Sequence, residues 1–303
     1  MLKIIAIIGP SGCGKTDLSF KLAKALPCSI INSDCRLVYR ELDIGTAKPT
    51  SLELAQIRHY LVDIVDINEI YTVGNFKKDA LEIISRINNT DDYVIICGGT
   101  GLYSSALLFN WQIPEYGPDD SLRQKLNDEM GQFGVKYIYD KLMDIDPDSA
   151  LNINVNDSFR IIRALELCYL SGSKASLLRQ KKEPMANVTW VGLNTNSKAS
   201  LVERITKRFG HILDHGLIDE VKYLYKKYAD SQVLHNTVNY KEFIPYLKGL
   251  TSLEEACNLA IANNCKLAKK QLAWHRPNND IRWFDIDSVN NDEIAKDILD
   301  LLN

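Results

Sequence analysis

Apolar residues in the first third of the chain fall into short, uninterrupted runs separated by longer amphipathic stretches. Residues 4–8 and 93–97 are runs of this kind, rich in isoleucine, and strands are expected over 2–8, 29–31 and 93–97. Runs that are apolar on both faces read as strands covered on both sides, the pattern of a parallel sheet. Between them, residues 15–26 and 75–87 repeat apolar positions every three or four residues and predict helices. Strand and helix in alternation predict an α/β core, a parallel sheet with helices on both faces.

After Gly101 the pattern changes. Residues 119–132 and 135–144 predict polar amphipathic helices, the second stopped at Asp146-Pro147. Asn156 or Asp157 is placed to cap a helix through about residue 170, which Gly172 ends. Residues 115–180 are therefore expected to form an all-helical insertion, with 1–114 and 181–303 forming the core. Residues 188–193 return to strand character, 198–228 read as helical, and 281–286 as a last short strand. Ser252, with Glu255 three positions on, is a capping box for a long helix through about residue 274.

Of 303 residues, 46% are hydrophobic and 25% charged, which excludes a disordered chain. No apolar run approaches membrane-spanning length, and the N-terminal segment reads as a strand rather than a signal peptide. A cytoplasmic monomer that avoids the membrane is expected. The seven cysteines are scattered without a C-x-x-C pair, against zinc and disulfide frameworks. A net charge of −3 argues against non-specific coating of nucleic acid. Two local basic runs remain: Lys174, Arg179, Lys181 and Lys182, and Lys266, Lys269, Lys270 and Arg276.

The most specific motif is Gly9-Pro10-Ser11-Gly12-Cys13-Gly14-Lys15-Thr16, which satisfies G-x-x-x-x-G-K-[ST] between a strand and a helix. Backbone amides of such a loop and the positive end of the following helix make a phosphate cradle. Lys15 reaches the outer phosphates and the Thr16 hydroxyl is placed to ligate Mg²⁺. A phosphoryl-transfer enzyme of this kind normally carries a carboxylate at a second strand end. Here residues 93–97 run instead into Gly98-Gly99-Thr100-Gly101. An acid does stand after the second strand, at Asp34, where it can support Mg²⁺ through water, act as a general base, or simply cap a turn. Asp43 to Pro49 follows as a turn-rich segment with Thr46 and Lys48 available to a phosphate. Ligands of open α/β sheets gather at the C-terminal strand ends, so these loops are expected side by side.

Together these segments resemble the tRNA dimethylallyltransferases, also called tRNA isopentenyltransferases. The likeness runs through the phosphate loop, Asp34, Leu37 to Pro49, His59 to Ile64, Tyr71 to Phe76 with Asp79-Ala80, and Gly98 to Tyr103. It continues at Asp146-Pro147, Asn156 to Glu166, Gly216 to Val221, Tyr240 to Phe243, and Ala268 to Arg276. The resemblance implies a P-loop NTPase-like fold. It also implies transfer of a dimethylallyl group from dimethylallyl diphosphate to N6 of the adenosine immediately 3′ of the anticodon, in tRNAs reading codons that begin with U. Pyrophosphate leaves, and no phosphoryl group moves. On this reading Gly9, Pro10, Ser11, Gly12, Cys13, Gly14, Lys15 and Thr16 hold the diphosphate, and Thr16 holds Mg²⁺. Asp34 accepts the N6 proton, with Lys15 and Thr16 as its catalytic partners. The tRNA is touched by Asp34, Cys35, Arg36 and Leu37, by Thr100 and Arg123, and by Phe159, Arg160, Ile161, Ile162 and Arg163.

The sequence departs from the family pattern at Arg36 and, near the C-terminus, at Asn236 for a basic residue, Asn239 for glycine, Asn264-Cys265 for Thr-Arg, and His275 for an apolar residue. The missing arginine is one that can grip diphosphate oxygens, and Lys266 is its expected partial substitute. Three other functions fit parts of the pattern: a non-catalytic tRNA-binding paralogue, a prenyltransferase acting on free adenine nucleotide, and a small-molecule kinase. The helical insertion and the basic C-terminal helix favour tRNA over a free nucleotide. The carboxylate missing after residue 97 disfavours a kinase.

Overall fold

Six strands form one all-parallel sheet in the order β3-β2-β4-β1-β5-β6. They are β1 (Lys3–Ile8), β2 (Cys28–Asn32), β3 (His59–Tyr60), β4 (Tyr93–Cys97), β5 (Val188–Asn194) and β6 (Arg282–Asp285). The structure, a computed structural model, describes residues 3–88, 90–114, 116–178, 183–185 and 187–302. The apolar run of β1 makes it a central strand: Ile4, Ile5, Ala6, Ile7 and Ile8 are all buried. It pairs with β4 on one side (Ile5 with Ile95) and β5 on the other (Ile5 with Thr189). In turn β4 pairs with β2, aligning Asn32 with Cys97. The loops that follow β1, β2 and β4 thus leave three neighbouring strands at one edge of the sheet, where parallel α/β folds place their ligands.

The chain divides into two compact units, Met1–Ser104 with Ala186–Asn303, and Ser105–Met185. The second starts and ends outside the 115–180 read from the sequence, because the end of helix Gly101–Leu108 and the segment around Met185 bond together through Met185 N–H and Leu108 C=O. In the first unit, one apolar cluster packs Leu18, Leu22, Ile205, Ala268, Ile294 and Ile298 onto the sheet. A second gathers Val38, Leu42, Phe209, Tyr240, Phe243 and Ala260. The long helix Leu253–His275 begins at the expected Ser252–Glu255 capping box and serves both clusters. The stretch read as continuous helix is two, Lys198–Asp214 and Leu217–Lys227, broken where Gly216 takes φ 99°. Pro147 starts a short helix, capped by Asp146, rather than merely ending one. The final helix Asn291–Leu302 and the two-residue strand β3 gave no clear sequence signal.

Among its described residues the named elements of the second unit are all helices, with a core of Leu126, Ile138, Leu142, Ile161, Leu165 and Leu167. At its centre Glu166, fully buried, accepts hydrogen bonds from Arg123 Nε (2.8 Å) and Nη2 (3.1 Å), from the Asp119 N–H (2.7 Å), and from Arg163 Nη1. Burial opposes ionisation of this carboxyl, yet the bonds from Arg123, the Asp119 N–H and Arg163 outweigh it and hold the group below its ordinary value. Asp146 is also buried and held low, by the hydroxyls and N–H groups of Ser149 and Ser176.

A carboxylate whose folded pKa is lowered contributes its full stability above its unfolded value and loses it as pH falls through the folded one. Acid titration followed by circular dichroism should therefore show helix loss starting below about pH 4.5. Glu166→Gln should cost about 1.5–3 kcal/mol in denaturant unfolding at pH 7, from the lost charge-assisted bonds, and should flatten the acid limb.

Candidate active site

Three loops at the sheet edge and one helix build a cavity of about 360 Å³. Ser11, Gly12, Gly14, Lys15 and Thr16 line it from the phosphate loop, Asp34 and Leu37 from the turn after β2, and Gly98 and Gly99 from the turn after β4. Thr46, Ala47, Lys48 and Pro49, with Glu53, Cys97 and Arg208, complete the lining.

Gly14 sits at φ 78° as the residue before helix Lys15–Ala25, which turns the last loop amides toward the cavity. Lys15 folds back so that Nζ donates to the Pro10 carbonyl at 2.8 Å. Burial lowers the pKa of this ammonium, and Arg208 adds to that, while Cys97, Cys13 and Asp34 act in the opposite sense. Burial likewise lowers the Arg208 pKa, against the nearby Asp34 charge, although an arginine stays protonated across the physiological range. Of the charged residues that line the cavity, Lys48 is paired with Asp43 and Asp63, and Glu53 accepts from the Thr50 N–H and hydroxyl. That leaves the half-buried Lys15 and Arg208 facing Asp34, a balance that a phosphate would complete.

The Asp34 turn is fixed from three sides. Its N–H donates to Asn32 Oδ1 (2.8 Å), and Asn32 Nδ2 donates to the Asp34 carbonyl (3.0 Å) and to Leu61 O (2.8 Å). Asp34 Oδ1 accepts the Arg36 N–H at 2.9 Å. From the neighbouring loop, the Thr100 N–H donates to Ser33 O (3.2 Å), and Thr100 Oγ1 accepts the Cys35 N–H (2.9 Å). That approach requires glycine at 98, where an added Cβ would stand 2.3 Å from the Ser33 carbonyl carbon. The loops are then tied together from the long helix. Gln271 Oε1 accepts from the Ser11 N–H (2.8 Å) and Oγ (3.3 Å), while Gln271 Nε2 donates to Gly99 O (3.0 Å).

Several residues singled out in the sequence take other work here. Lys48 spends its three donors on Asp43 (2.6 Å), Asp63 and Tyr39 O (2.8 Å), with its side chain 3% exposed. Thr46 Oγ1 donates to Leu42 O at 2.6 Å. Both shape the wall instead of awaiting a phosphate. Thr100 supports the Asp34 turn. In the helical unit Ile161 and Ile162 are buried core residues whose side chains cannot reach RNA, and Arg123 and Arg163 are committed to Glu166. Phe159 (73% exposed) and Arg160 remain open at the start of helix Ser158–Ser171. Arg179, Lys181 and Lys182 lie outside the described residues.

Cys265 packs partly buried against the sheet cluster, and neither it nor the exposed Lys266 lines the cavity. The cation on that wall is Arg208, which the sequence reading missed. Its signal was present: it falls on the stripe Leu201, Ile205, Ile212 of helix Lys198–Asp214, where a charge calls for a partner. Its Nη2 donates to Thr46 O at 3.0 Å. Gln271 lies within the Ala268 to Arg276 likeness, where its position in the sequence signals no role. His275 is buried, and burial together with Lys15 pushes its pKa down to about 4, so it is a neutral packing residue. Cys13 is buried too, with its thiol pushed up by that burial, which makes it a small core residue and not a reactive one.

A family model described as IPP transferase matches residues 37–278. A tRNA dimethylallyltransferase of Natranaerobius thermophilus is 37% identical over 303 residues, covering 99% of this chain and 91% of its own. Another, from Bacillus anthracis, is 39% identical over 287 residues, covering 94% and 91%. Among solved structures, the tRNA isopentenylpyrophosphate transferase of Bacillus halodurans superposes with a TM-score of 0.73 at 35% identity, covering 100% of this chain and 96% of that one. A eukaryotic dimethylallyltransferase acting on tRNA gives 0.80 at 28% identity, covering 94% and 74%.

Removing the Gln271 amide leaves the Ser11 N–H and the Gly99 carbonyl without partners. Gln271→Ala should cost about 1–3 kcal/mol in denaturant unfolding, and ligands of the phosphate loop should restore part of it. A midpoint identical to that of the unaltered chain would show the bridge to be energetically idle.

Proposed function

The chain belongs to the IPP transferase family, and from that premise we propose how its phosphate-loop cavity performs the family's chemistry. It is an enzyme that prenylates tRNA, as its relatives named tRNA dimethylallyltransferase do. Neither a non-catalytic binder, a free-nucleotide prenyltransferase nor a kinase finds support among them. The donor is dimethylallyl diphosphate, and the acceptor is N6 of the adenosine immediately 3′ of the anticodon in tRNAs reading UNN codons.

One observation carries the reading: Lys15, Thr16, Arg208 and Asp34 line a single cavity whose second strand end offers Gly98 and Gly99 in place of a carboxylate. The cations and loop amides hold the diphosphate and take up charge as the C1–O bond breaks. N6 of the adenosine forms the new bond to C1, pyrophosphate leaves, and the N6 proton passes to the Asp34 carboxylate. Leu37 adds an apolar edge beside Asp34. Reaching N6 requires the adenosine to leave the loop stack, as for other base-modifying enzymes.

Among the described residues no cluster of three or more His, Cys, Asp or Glu exists to cage a metal. Side-chain oxygens do line the cavity, among them the Thr16 hydroxyl and the Asp34 carboxylate, and these are hard donors. That set fits Mg²⁺, which keeps most of its waters and bonds to substrate phosphates beside one or two protein oxygens. When bound there, Mg²⁺ would neutralise diphosphate charge.

For tRNA, each unit offers exposed groups of its own. Phe159 and Arg160 suit stacking and phosphate contact in the helical unit. Lys266, Lys269, Lys270 and Arg276, with Trp274 39% exposed, do so along the long helix. The reading extends to a cytoplasmic monomer, and among the described residues no helix is long and apolar enough to cross a membrane.

The test mixes protein, dimethylallyl diphosphate, Mg²⁺ and an anticodon stem-loop with adenosine 3′ of the anticodon, followed by nucleoside mass spectrometry. N6-isopentenyladenosine is expected. Asp34→Ala should lower kcat by about 10²–10⁴-fold with stem-loop binding retained. Turnover unchanged in that variant would remove Asp34 as the base, and ATP hydrolysis without prenylation would replace the whole reading with a kinase.

A further inference from the structure

Two of the asparagines at which this sequence departs from the family pattern meet in the fold. Asn239 takes φ 75°, a left-handed conformation that asparagine tolerates better than most residues. Its N–H donates to Glu242 Oε2 (2.9 Å), its Nδ2 donates to Gly45 O (2.7 Å), and its Oδ1 accepts from Asn264 Nδ2 (2.6 Å). Asn264 Nδ2 also bonds to Ala260 O (2.9 Å), which holds it against its own helix. Both side chains are buried. The amide pair is therefore a bridge from helix Leu253–His275 to the Gly45 carbonyl.

That carbonyl is the foot of the cavity wall. Thr46, Ala47, Lys48 and Pro49 follow it, and the next carbonyl, Thr46 O, is the one that Arg208 holds. From the other side, Glu220 accepts the Ile44 N–H at 2.8 Å and the Gly45 N–H at 3.0 Å, so the turn is gripped at both its donors and its acceptors. Two turns along the same helix from Asn264, and hence on the same face, Gln271 grips Ser11 and Gly99. A single helix thus sets the phosphate loop through Gln271 and the opposite wall through Asn264 and Asn239.

We propose that the Asn239–Asn264 pair is a positioning element for diphosphate binding, fixing the Gly45–Pro49 wall and the Arg208 guanidinium at the spacing from the phosphate loop that a diphosphate bridges. The proposal rests on the diphosphate reading of the cavity given above. Neither asparagine lines that cavity, so both act through the wall and not by touching the donor.

The test measures pyrophosphate binding by calorimetry in Mg²⁺ on the full chain, with thermal midpoints on the same samples. Binding by the unaltered chain and its loss in Lys15→Ala check the diphosphate reading. Asn264→Ala and Asn239→Gly then check the positioning role. Each should bind pyrophosphate about tenfold more weakly, because each leaves a buried amide or carbonyl unpaired. The double variant should lose no more than the weaker single one, since both break one bridge. In the prenylation assay the donor KM should rise by a similar factor while the stem-loop KM stays. If the glycine variant does not fold, Asn239→Asp serves instead: it keeps an acceptor for Asn264 and the tolerance for φ 75°, and replaces the donor to Gly45 O with a charged oxygen that cannot bond it. Pyrophosphate affinity unchanged in the folded single variants, whatever their midpoints, overturns the proposal, as do additive losses in the double variant. Absence of pyrophosphate binding to the unaltered chain would remove the diphosphate reading and the proposal with it.

Discussion

Parallel pairing of β2, β4 and β1 is the constraint from which the site follows. Because the three strands run the same way and pair in register, their C-terminal ends fall along one edge, and the loops that leave them must share it. The phosphate loop, the Asp34 turn and the Gly98-Gly99 turn are neighbours for that reason alone. The closeness has a steric condition, the bare Cα of Gly98 against the backbone of Ser33. It has a polar one too, since loop N–H and C=O groups drawn together at an edge need partners, and Gln271 supplies them from a helix that packs on the sheet.

Charge then decides what such an edge can do. Burial opposes protonation of both Lys15 and Arg208, the Arg208 charge adds to that at Lys15, and Asp34 is the opposing charge that both feel. A cavity built this way favours an anion, and the anion binds to groups already oriented, without the cost of assembling them. The other ionic groups nearby are satisfied internally. Lys48 is locked between Asp43 and Asp63, and Glu220 is filled by backbone N–H groups and the Tyr240 hydroxyl. The separation between groups that are spent and groups that remain leaves Lys15, Arg208 and Asp34 facing the cavity.

The departures from the family pattern are mostly absorbed by the surrounding structure. His275 stands where an apolar residue is usual and is kept neutral by burial beside Lys15. Asn239 fills a left-handed position suited to glycine and uses its amide to reach Gly45 and Asn264. Cys265 packs against the sheet, while Arg208 from another helix lines the wall with positive charge. Asn236 is exposed, and its Nδ2 donates to Gln232 O within its own short helix. A substitution that looks like a loss in one segment can thus be compensated by a side chain remote in sequence, because burial and hydrogen bonding are settled in three dimensions.

Local patterns carried much of this protein. The β1 and β4 runs, the Ser252–Glu255 box and the Gly172 stop are set by neighbours within a few residues, and so the sequence alone determined them, while it left the N-terminal cap of that last helix between Asn156 and Asp157. The same holds for the phosphate loop, whose glycines, lysine and threonine act within one turn of chain. What the sequence left undecided depends on residues far apart. Whether Lys48 waits for a phosphate or is locked by Asp63, whether Arg123 meets solvent or Glu166, and whether Ile161 faces outward or into a core are decided by packing. Arg208 and Gln271 reach the site from helices more than a hundred residues beyond the strands they serve, and no local periodicity reports which loop a distant helix will lie against. Hydrogen-bonding demand, unlike secondary-structure propensity, has no address in the sequence, and only the tertiary structure shows where it is met.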